Sequence, residues 1–190
     1  MLKILLIRPG TTEFDQQGRI LGTLDVPLSA EGNDQVAEVV QQLSDQSLDA
    51  VYTSPSESSA QTARRVADGL AVKHKTIDQL RNVNHGLWQG LLVDEVKRKQ
   101  PKVFRQWQDH PDTVCPPQGE MLPDARSRVE SALAKLFKKH KRGVVGIVAP
   151  EPLASLIASI LRQTELKEVC KPGGADWEVI EVKQPSLITA

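Results

Sequence analysis

Short apolar runs alternate with amphipathic stretches along this chain of 190 residues. Residues 2–7, 49–53 and 144–149 are almost continuously apolar, which is typical of parallel strands covered by helices on both faces. Residues 177–182 alternate less regularly between apolar and acidic side chains, which favours a strand at the edge of a sheet. These four segments are the predicted strands.

Amphipathic helices are predicted between those strands. Apolar side chains recur at helical spacing over residues 36–43 and again over residues 129–137. A third helix is predicted over residues 153–161, because Glu151 and Pro152 suit a first helical turn. The alternation of strands and helices predicts an α/β fold, a three-layer sandwich with a mostly parallel sheet and helices on both faces.

The segment from residue 101 to residue 123 departs from this alternation. It contains five prolines around Phe104 and Trp107. We interpret it as part of a lid-like excursion, at about residues 92–123, over the sheet edge where open α/β proteins bind ligands. The chain shows no linker, repeat or low-complexity tract, so residues 1–190 are predicted to form a single domain.

Composition argues against several classes of function. Lysine plus arginine and aspartate plus glutamate both number 24, so the balanced charge gives no attraction to nucleic acid or anionic membranes. No segment has the pattern of a signal peptide or the length of a membrane span. Cys115 and Cys170 lie far apart, without the spacing of a metal site. We therefore expect a cytoplasmic protein that needs neither a metal nor a cofactor.

Four motifs of this chain resemble those of the histidine phosphatase family, also called the phosphoglycerate mutase-like family. They are Arg-Pro-Gly-Thr-Thr with later Gly-Arg, Gly, Asp and Pro-Leu-Ser over residues 8–29, Ser-Pro with Gln-Thr-Ala over 54–63, Leu-Arg-Asn with Gly-Leu-Trp-Gln-Gly-Leu over 80–91, and Pro-Gln-Gly-Glu over 117–120. Their order and spacing follow the family, and the resemblance extends to about residue 160. It implies the phosphoglycerate mutase-like fold.

The resemblance also implies where catalytic groups would lie. Family members transfer a phosphoryl group to a histidine, hold its oxygens with two arginines and a second histidine, and use a glutamate as acid. Carried over by position, the nucleophile falls on Pro9 and the second histidine on Pro150. The second arginine falls on Ser58 and the acid on Asn82, so that Arg8 alone keeps its residue type.

Three further positions complete this degenerate set. Gly10 adjoins the missing nucleophile, while Asp15 and Glu151 stand where the family has asparagine and glycine. Ionised carboxylates only accept hydrogen bonds, so they weaken phosphate binding and leave Arg8 as the possible anion-binding residue. Proline has no nucleophilic atom and no backbone N–H. Losing a covalent nucleophile commonly costs about 10⁶ in rate, which predicts inactivity.

The sequence thus predicts a catalytically inactive histidine phosphatase-like protein, a pseudoenzyme that binds an unknown protein or small-molecule ligand. Its oligomeric state is left open. An alternative is a rebuilt mechanism on a small phosphorylated or carboxylated metabolite, with Arg8 orienting the anion and Asp15, Glu151 or His85 as acid or base. A relic without any ligand is a third possibility. A cation site at Asp15, Glu151 and Asp176 is disfavoured because Arg8 would share it.

Overall fold

The computed structural model describes residues 1–166, 171 and 173–182 of the chain. Its sheet contains β1 (Leu2–Arg8), β2 (Ala50–Thr53), β3 (His74–Thr76), β4 (Gly143–Val148) and β5 (Asp176–Val182). The strand order is β3-β2-β4-β1-β5, parallel throughout except for β5, which runs antiparallel to β1. The four predicted strands are confirmed. The sequence did not reveal β3, because its three residues are all exposed and polar.

Helices occupy most of the intervening chain. They are α1 (Glu13–Gln16), α2 (Ala30–Gln42), α3 (Glu57–Gly69), α4 (Val93–Lys99), α5 (Pro101–Asp109), α6 (Leu122–Lys139) and α7 (Leu153–Arg162), with short 3₁₀ turns at Asp78–Leu80 and Gly86–Trp88. The three predicted helices correspond to α2, α6 and α7. Over the described ranges, no helix combines the length and the apolar character that crossing a membrane requires.

The sheet is the middle of three layers, as the alternation of strands and helices predicts. Along β1, Leu2, Ile4 and Leu6 pack with α6 and α7, whereas Leu5 and Ile7 pack with α2 and α3. All five side chains are fully buried, and each contributes roughly 1.5–3 kcal/mol through burial. Two helical layers that cover a central strand on both faces explain its continuous apolar sequence.

The excursion contains helices that the sequence pattern did not predict. Within it, α4 and α5 bury Val96, Phe104 and Trp107 in a separate apolar cluster with Ile20 and Trp88. The prolines do not prevent this, because Pro101 lies in the first turn of α5, where its missing N–H breaks no helical hydrogen bond. Whether this segment closes over a ligand as a lid stays a prediction.

Two glycines bring the end of β1 against the start of α2. A Cβ atom on Gly10 would lie 2.2 Å from the carbonyl oxygen of Gly32, and one on Gly32 would lie 2.1 Å from that of Thr11. No other residue fits at this approach. Ser29 is the N-cap of α2, since its Oγ accepts a 3.0 Å hydrogen bond from Gly32 N. The predicted domain extends to residue 190, but positions 167–170, including Cys170, and 172 and 183–190 lie outside the described residues.

Candidate ligand-binding cleft

A cleft of about 380 Å³ lies at the carboxyl ends of β1 and β4. Seven of the eight positions selected from the sequence line it, although they come from four separate parts of the chain. These are Arg8, Pro9, Gly10, Asp15, Ser58, Pro150 and Glu151. The eighth, Asn82, is not among the lining residues, but its side chain hydrogen-bonds to the backbone of two of them, Gly22 and Glu151. Open α/β sheets place ligand sites at this edge.

The two prolines emerge side by side from neighbouring strands. β1 and β4 pair in parallel with Ile7 opposite Val148, and Ala149 N donates a 3.0 Å hydrogen bond to the carbonyl oxygen of Ile7. Pro9 and Pro150 follow directly and both face the cleft. Neither has a side-chain nucleophile or a backbone N–H. The centre of the cleft floor is therefore apolar and chemically inert.

Arg8 is bound by carboxylates of the protein itself. Its Nε donates to Glu151 Oε1 at 2.6 Å and its Nη2 donates to Glu178 Oε1 at 3.2 Å, while Asp176 Oδ2 lies 4.0 Å from Nη1. The Glu151 side chain is only 6% exposed, so this pair is buried. Glu178 also pairs with Arg162. The guanidinium charge is thus compensated before any ligand arrives.

The pKa directions agree with this pairing. Burial by itself lowers the pKa of Arg8, but the hydrogen bonds and charges of Glu151 and Glu178 outweigh burial and raise it. Burial raises the pKa of Glu178, yet its hydrogen bonds to Arg162 and Arg8 lower it overall. The prediction that Arg8 binds an anion remains untested, and these contacts count against it.

Asp15 caps a helix instead of facing a ligand freely. Its Oδ2 accepts hydrogen bonds of 2.7 Å from both the backbone N–H and the hydroxyl of Thr12, and Asp15 N donates back to Thr12 Oγ1 at 3.3 Å. This reciprocal capping box begins α1. The Asp15 carboxylate is thus bound by Thr12, and the Glu151 carboxylate is bound by Arg8. Two of the three carboxylates of the disfavoured cation site are therefore not free to bind a cation. Among the described residues, no group of three or more His, Cys, Asp or Glu could hold a metal ion.

Asn82, at the position of the family acid, is fully used in holding the cleft together. Its side-chain Nδ2 donates at 2.9 Å to the carbonyl oxygens of Gly22 and Glu151. Its Oδ1 accepts from the backbone N–H groups of Val83, at 2.9 Å, and Leu153, at 3.3 Å. An amide with all these contacts has no proton to transfer. Asn82 therefore joins the loop around Gly22 to the start of α7.

Ser58 and His85 belong to the cleft lining, and each has a buried polar atom with no partner among the residues that the structure describes. Ser58 is 1% exposed and His85 is 4% exposed, and in the described part of the chain neither Ser58 Oγ nor His85 Nδ1 has a hydrogen-bond partner. Burial lowers the pKa of His85 to about 4, although the charge of Glu120 partly opposes the shift. His85 is thus a neutral imidazole at physiological pH. It packs edge-on against Trp107, with ring centroids 5.3 Å apart.

Several cleft residues were not selected from the sequence. Arg19 and Gly22 belong to the first family motif, so the sequence could have indicated that they lie at the cleft. For Trp107 the only indication was that it is an aromatic residue in the excursion. Gly173 and Gly174 had none, because the motifs do not extend to the C-terminal part of the chain. A Cβ on Gly173 would collide with the Asp15 carboxylate, which shows how closely that part approaches the cleft.

Comparison with known proteins gives consistent sequence matches. The family model described as histidine phosphatase superfamily (branch 1) matches residues 4–183, well past residue 160, to which the resemblance of the motifs extended. Phosphoserine phosphatase 1 of Hydrogenobacter thermophilus is 33% identical over 162 residues, which cover 85% of this chain and 77% of that protein. A probable phosphoglycerate mutase, GpmB, of Serratia proteamaculans is 30% identical over 133 residues, 70% of this chain and 62% of that protein.

Solved structures share the fold. YhfR of Bacillus stearothermophilus superposes with a TM-score of 0.84 at 25% identity, covering 95% of this chain and 91% of that one. A mycobacterial glucosyl-3-phosphoglycerate phosphatase superposes with a TM-score of 0.80 at 23% identity, covering 93% and 88%. The second likeness shows the fold alone. Both agree with the mostly parallel α/β sandwich expected from the sequence.

Proposed function

Because this chain belongs to the histidine phosphatase superfamily (branch 1), we propose that it is a catalytically inactive member that serves as a binding or regulatory module. One observation carries the proposal. Pro9 and Pro150 end neighbouring strands at the cleft floor, at the two positions where the family resemblance requires histidines. A proline at the nucleophile position cannot form a phosphoenzyme.

The magnitudes support inactivity. Loss of a covalent nucleophile alone costs about 10⁶ in rate. Loss of the general acid, at Asn82, costs roughly 10²–10⁴, and loss of a phosphate-binding donor, at Ser58, about 10²–10³. These losses do not add, since the groups act as one unit. The nucleophile is therefore decisive, and the other changes leave little for a replacement group to rescue.

Loss of anion affinity supports the same proposal. A phosphatase pocket must offer free donors and positive charge to a dianion. Here Arg8 is paired with Glu151 and Glu178, and Asp15 adds a further carboxylate at a cleft that Arg19 and Lys171 also line. A phosphoryl group would have to displace Glu151 to reach Nε of Arg8. Phosphorylated metabolites are thus expected to bind weakly, if they bind measurably.

A rebuilt mechanism is the second candidate, and the observation that favours it is the position of His85 in the cleft lining. This neutral imidazole lines the cleft and could accept a proton. With a pKa of about 4 it would be a weak base near neutral pH, well below the optimum for general base catalysis. Asp15 and Glu151, the other proposed acid–base groups, are engaged with Thr12 and Arg8.

Hydrolysis of an aryl phosphate between pH 4 and pH 9 tests the proposal. The protein is freed of metal and assayed beside Arg8→Ala, with the phosphoserine phosphatase of Hydrogenobacter thermophilus as positive control. We expect no turnover above background from either form of this chain. Turnover that Arg8→Ala abolishes would contradict inactivity. If turnover were found, its loss in His85→Phe but not in Ser47→Ala, an exposed control, would identify the rebuilt mechanism.

A cytoplasmic location and a partner that is neither nucleic acid nor membrane belong to the same proposal. Their support is the equal number of acidic and basic residues, 24 of each, which gives no electrostatic attraction to either polyanion. Cell fractionation followed by detection of the chain would test both. Recovery in the soluble fraction, free of nucleic acid, is expected, and recovery with membranes would contradict the proposal.

A further inference from the structure

The cleft walls are apolar over much of their extent. Pro9, Pro150 and Pro152 line the side formed by the strand ends, and Ile20 and Trp107 line other parts of the wall. Sites for small organic molecules have this character, with a volume of roughly 300–1,000 Å³ and a few placed polar groups. The volume of about 380 Å³ lies at the lower end of that range. The walls therefore suit a small, mainly apolar molecule.

Two residues of the cleft lining also have buried polar atoms that lack a partner in the described ranges. Buried hydroxyl and imidazole groups are almost always hydrogen-bonded, and an unsatisfied one costs about 1–3 kcal/mol. Ser58 Oγ and His85 Nδ1 are both unpartnered within the described residues, and both residues line the cleft. A serine hydroxyl and a neutral imidazole can each donate and accept. Such groups fit a ligand with a hydroxyl or amide group.

An anionic ligand is disfavoured at one place in the cleft, the guanidinium of Arg8. The charged residues of the cleft lining are Arg8, Asp15, Arg19, Glu151 and Lys171. The Glu151 carboxylate accepts from Arg8 Nε and, through Oε2, from Ser155 N at 3.2 Å, so it occupies two donors that an anion could otherwise use. His85 is neutral and adds no positive charge. The Glu151 side chain therefore behaves as a built-in anion that fills this place on Arg8.

We propose that the cleft binds an uncharged, largely apolar small molecule, that the side chains of Ser58 and His85 turn their unpartnered polar atoms toward it, and that Glu151 excludes phosphorylated ligands from Arg8 by occupying its Nε. This inference rests on the proposed function, since it names the ligand class of an inactive binding module. It assigns separate roles to the substituted positions. The prolines provide apolar surface, Ser58 provides a hydroxyl where the family has an arginine, and Glu151 sets charge selectivity.

Three probes that share one ring and differ in charge test the ligand class on the full chain. They are benzamide, benzoate and phenyl phosphate, titrated at pH 7 and followed by two-dimensional proton–nitrogen NMR. We expect benzamide to bind, with an affinity of about millimolar because it is a fragment, and to shift the indole signal of Trp107. Benzoate and phenyl phosphate should bind at least about tenfold more weakly. Tighter binding of phenyl phosphate, or no binding by any probe, would overturn the proposal.

Two variants with a matched control test the assigned residues. Ser58→Ala and His85→Phe should each weaken benzamide binding about three- to tenfold, the effect of one lost hydrogen bond. His85→Phe keeps a ring against Trp107 and therefore limits the loss of packing. Ser47→Ala, an exposed change outside the cleft, should have no effect. Equal benzamide affinity in all four proteins would overturn the roles of Ser58 and His85.

A third variant tests the exclusion by Glu151. Glu151→Ala frees a charged donor on Arg8 and should raise the affinity for phenyl phosphate about tenfold or more. Glu151→Gln, which keeps the size of the side chain, should have a smaller effect. No gain in Glu151→Ala would overturn this part of the inference. Failure of benzamide to bind, with no turnover of aryl phosphate, would reject the ligand class alone, whereas turnover dependent on Arg8 would reject the proposed function itself.

Discussion

Two buried arginines of this protein make similar ion pairs with different consequences. Arg128, on α6, donates to Glu120 at 2.6 and 2.9 Å and to the backbone carbonyl oxygens of Gln79, Arg81 and Asn82. Its pair with Glu120 holds together two segments that carry retained family motifs. Such an arginine is part of the scaffold.

Arg8 has carboxylate partners but binds no backbone carbonyl among the described residues. Glu151 and Glu178 hold its guanidinium at the edge of an open cleft. On the proposed function, the same kind of contact stabilises the fold at Arg128 and neutralises a ligand-binding charge at Arg8. The comparison teaches that retention of a motif residue does not preserve its chemistry. An arginine serves a phosphate only if the protein leaves its donors free.

The largest expected effect concerns stability at Arg128. Arg128→Ala removes two hydrogen bonds to Glu120 and leaves three backbone carbonyl groups without a donor, so the free energy of unfolding should fall by about 3–5 kcal/mol, although Arg81 still lies 3.5 Å from Glu120. Arg8→Ala removes only two side-chain hydrogen bonds, to Glu151 and Glu178, and should cost less, about 1–3 kcal/mol. Urea unfolding followed by circular dichroism measures both. An equal or larger loss in Arg8→Ala would break the distinction between scaffold and cleft.

The next effect is a dependence of stability on pH through His85. Its pKa lies near 4 in the folded state and at an ordinary 6.5 when unfolded, so below pH 6.5 the unfolded chain binds a proton that the folded chain does not. His85 therefore favours folding above pH 6.5, and the advantage is lost as pH falls toward 4. Between pH 7 and pH 5 this amounts to about 2 kcal/mol.

A comparison with His85→Phe isolates that contribution. The other three histidines are common to both proteins, so they cancel in the difference between the two pH profiles. Glu120 and Glu178 have lowered pKa values, so their stabilising contributions are lost mainly below pH 4.5 and interfere little. Identical pH profiles for both proteins would show that His85 is not held neutral. The cleft would then carry a positive charge below about pH 6.5, contrary to the account.

The smallest effect concerns Asp15, which belongs to the cleft by position but to the scaffold by its contacts. Asp15→Ala removes the capping box of α1 and should lower the free energy of unfolding by about 1 kcal/mol. It should leave benzamide binding unchanged. A change in benzamide affinity without a change in stability would show that Asp15 serves the ligand and not the helix. Thermal unfolding and the NMR titration together decide.

The sequence predicted the layers of the fold and the position of the cleft well. Continuous apolar runs identify buried parallel strands, and motif spacing alone selected seven residues that line one cleft. The sequence could not identify side chains that pair across a long sequence separation. Arg8 and Glu151 are 143 positions apart, and their pairing depends on side-chain conformation at the ends of two strands. Likewise, the burial of His85 depends on its contact with Trp107 of α5, and the proline-rich sequence did not predict that helix.

Direct detection of a phosphorylated chain tests the central claim, that this cleft has lost phosphoryl transfer. The protein is incubated with excess aryl phosphate, and its intact mass is recorded at neutral pH, where phosphohistidine survives. The account predicts a single species with the mass of the unmodified chain, because Pro9 cannot accept a phosphoryl group. A phosphorylated species, with the group located on any of the four histidines and absent from Arg8→Ala, would contradict the account.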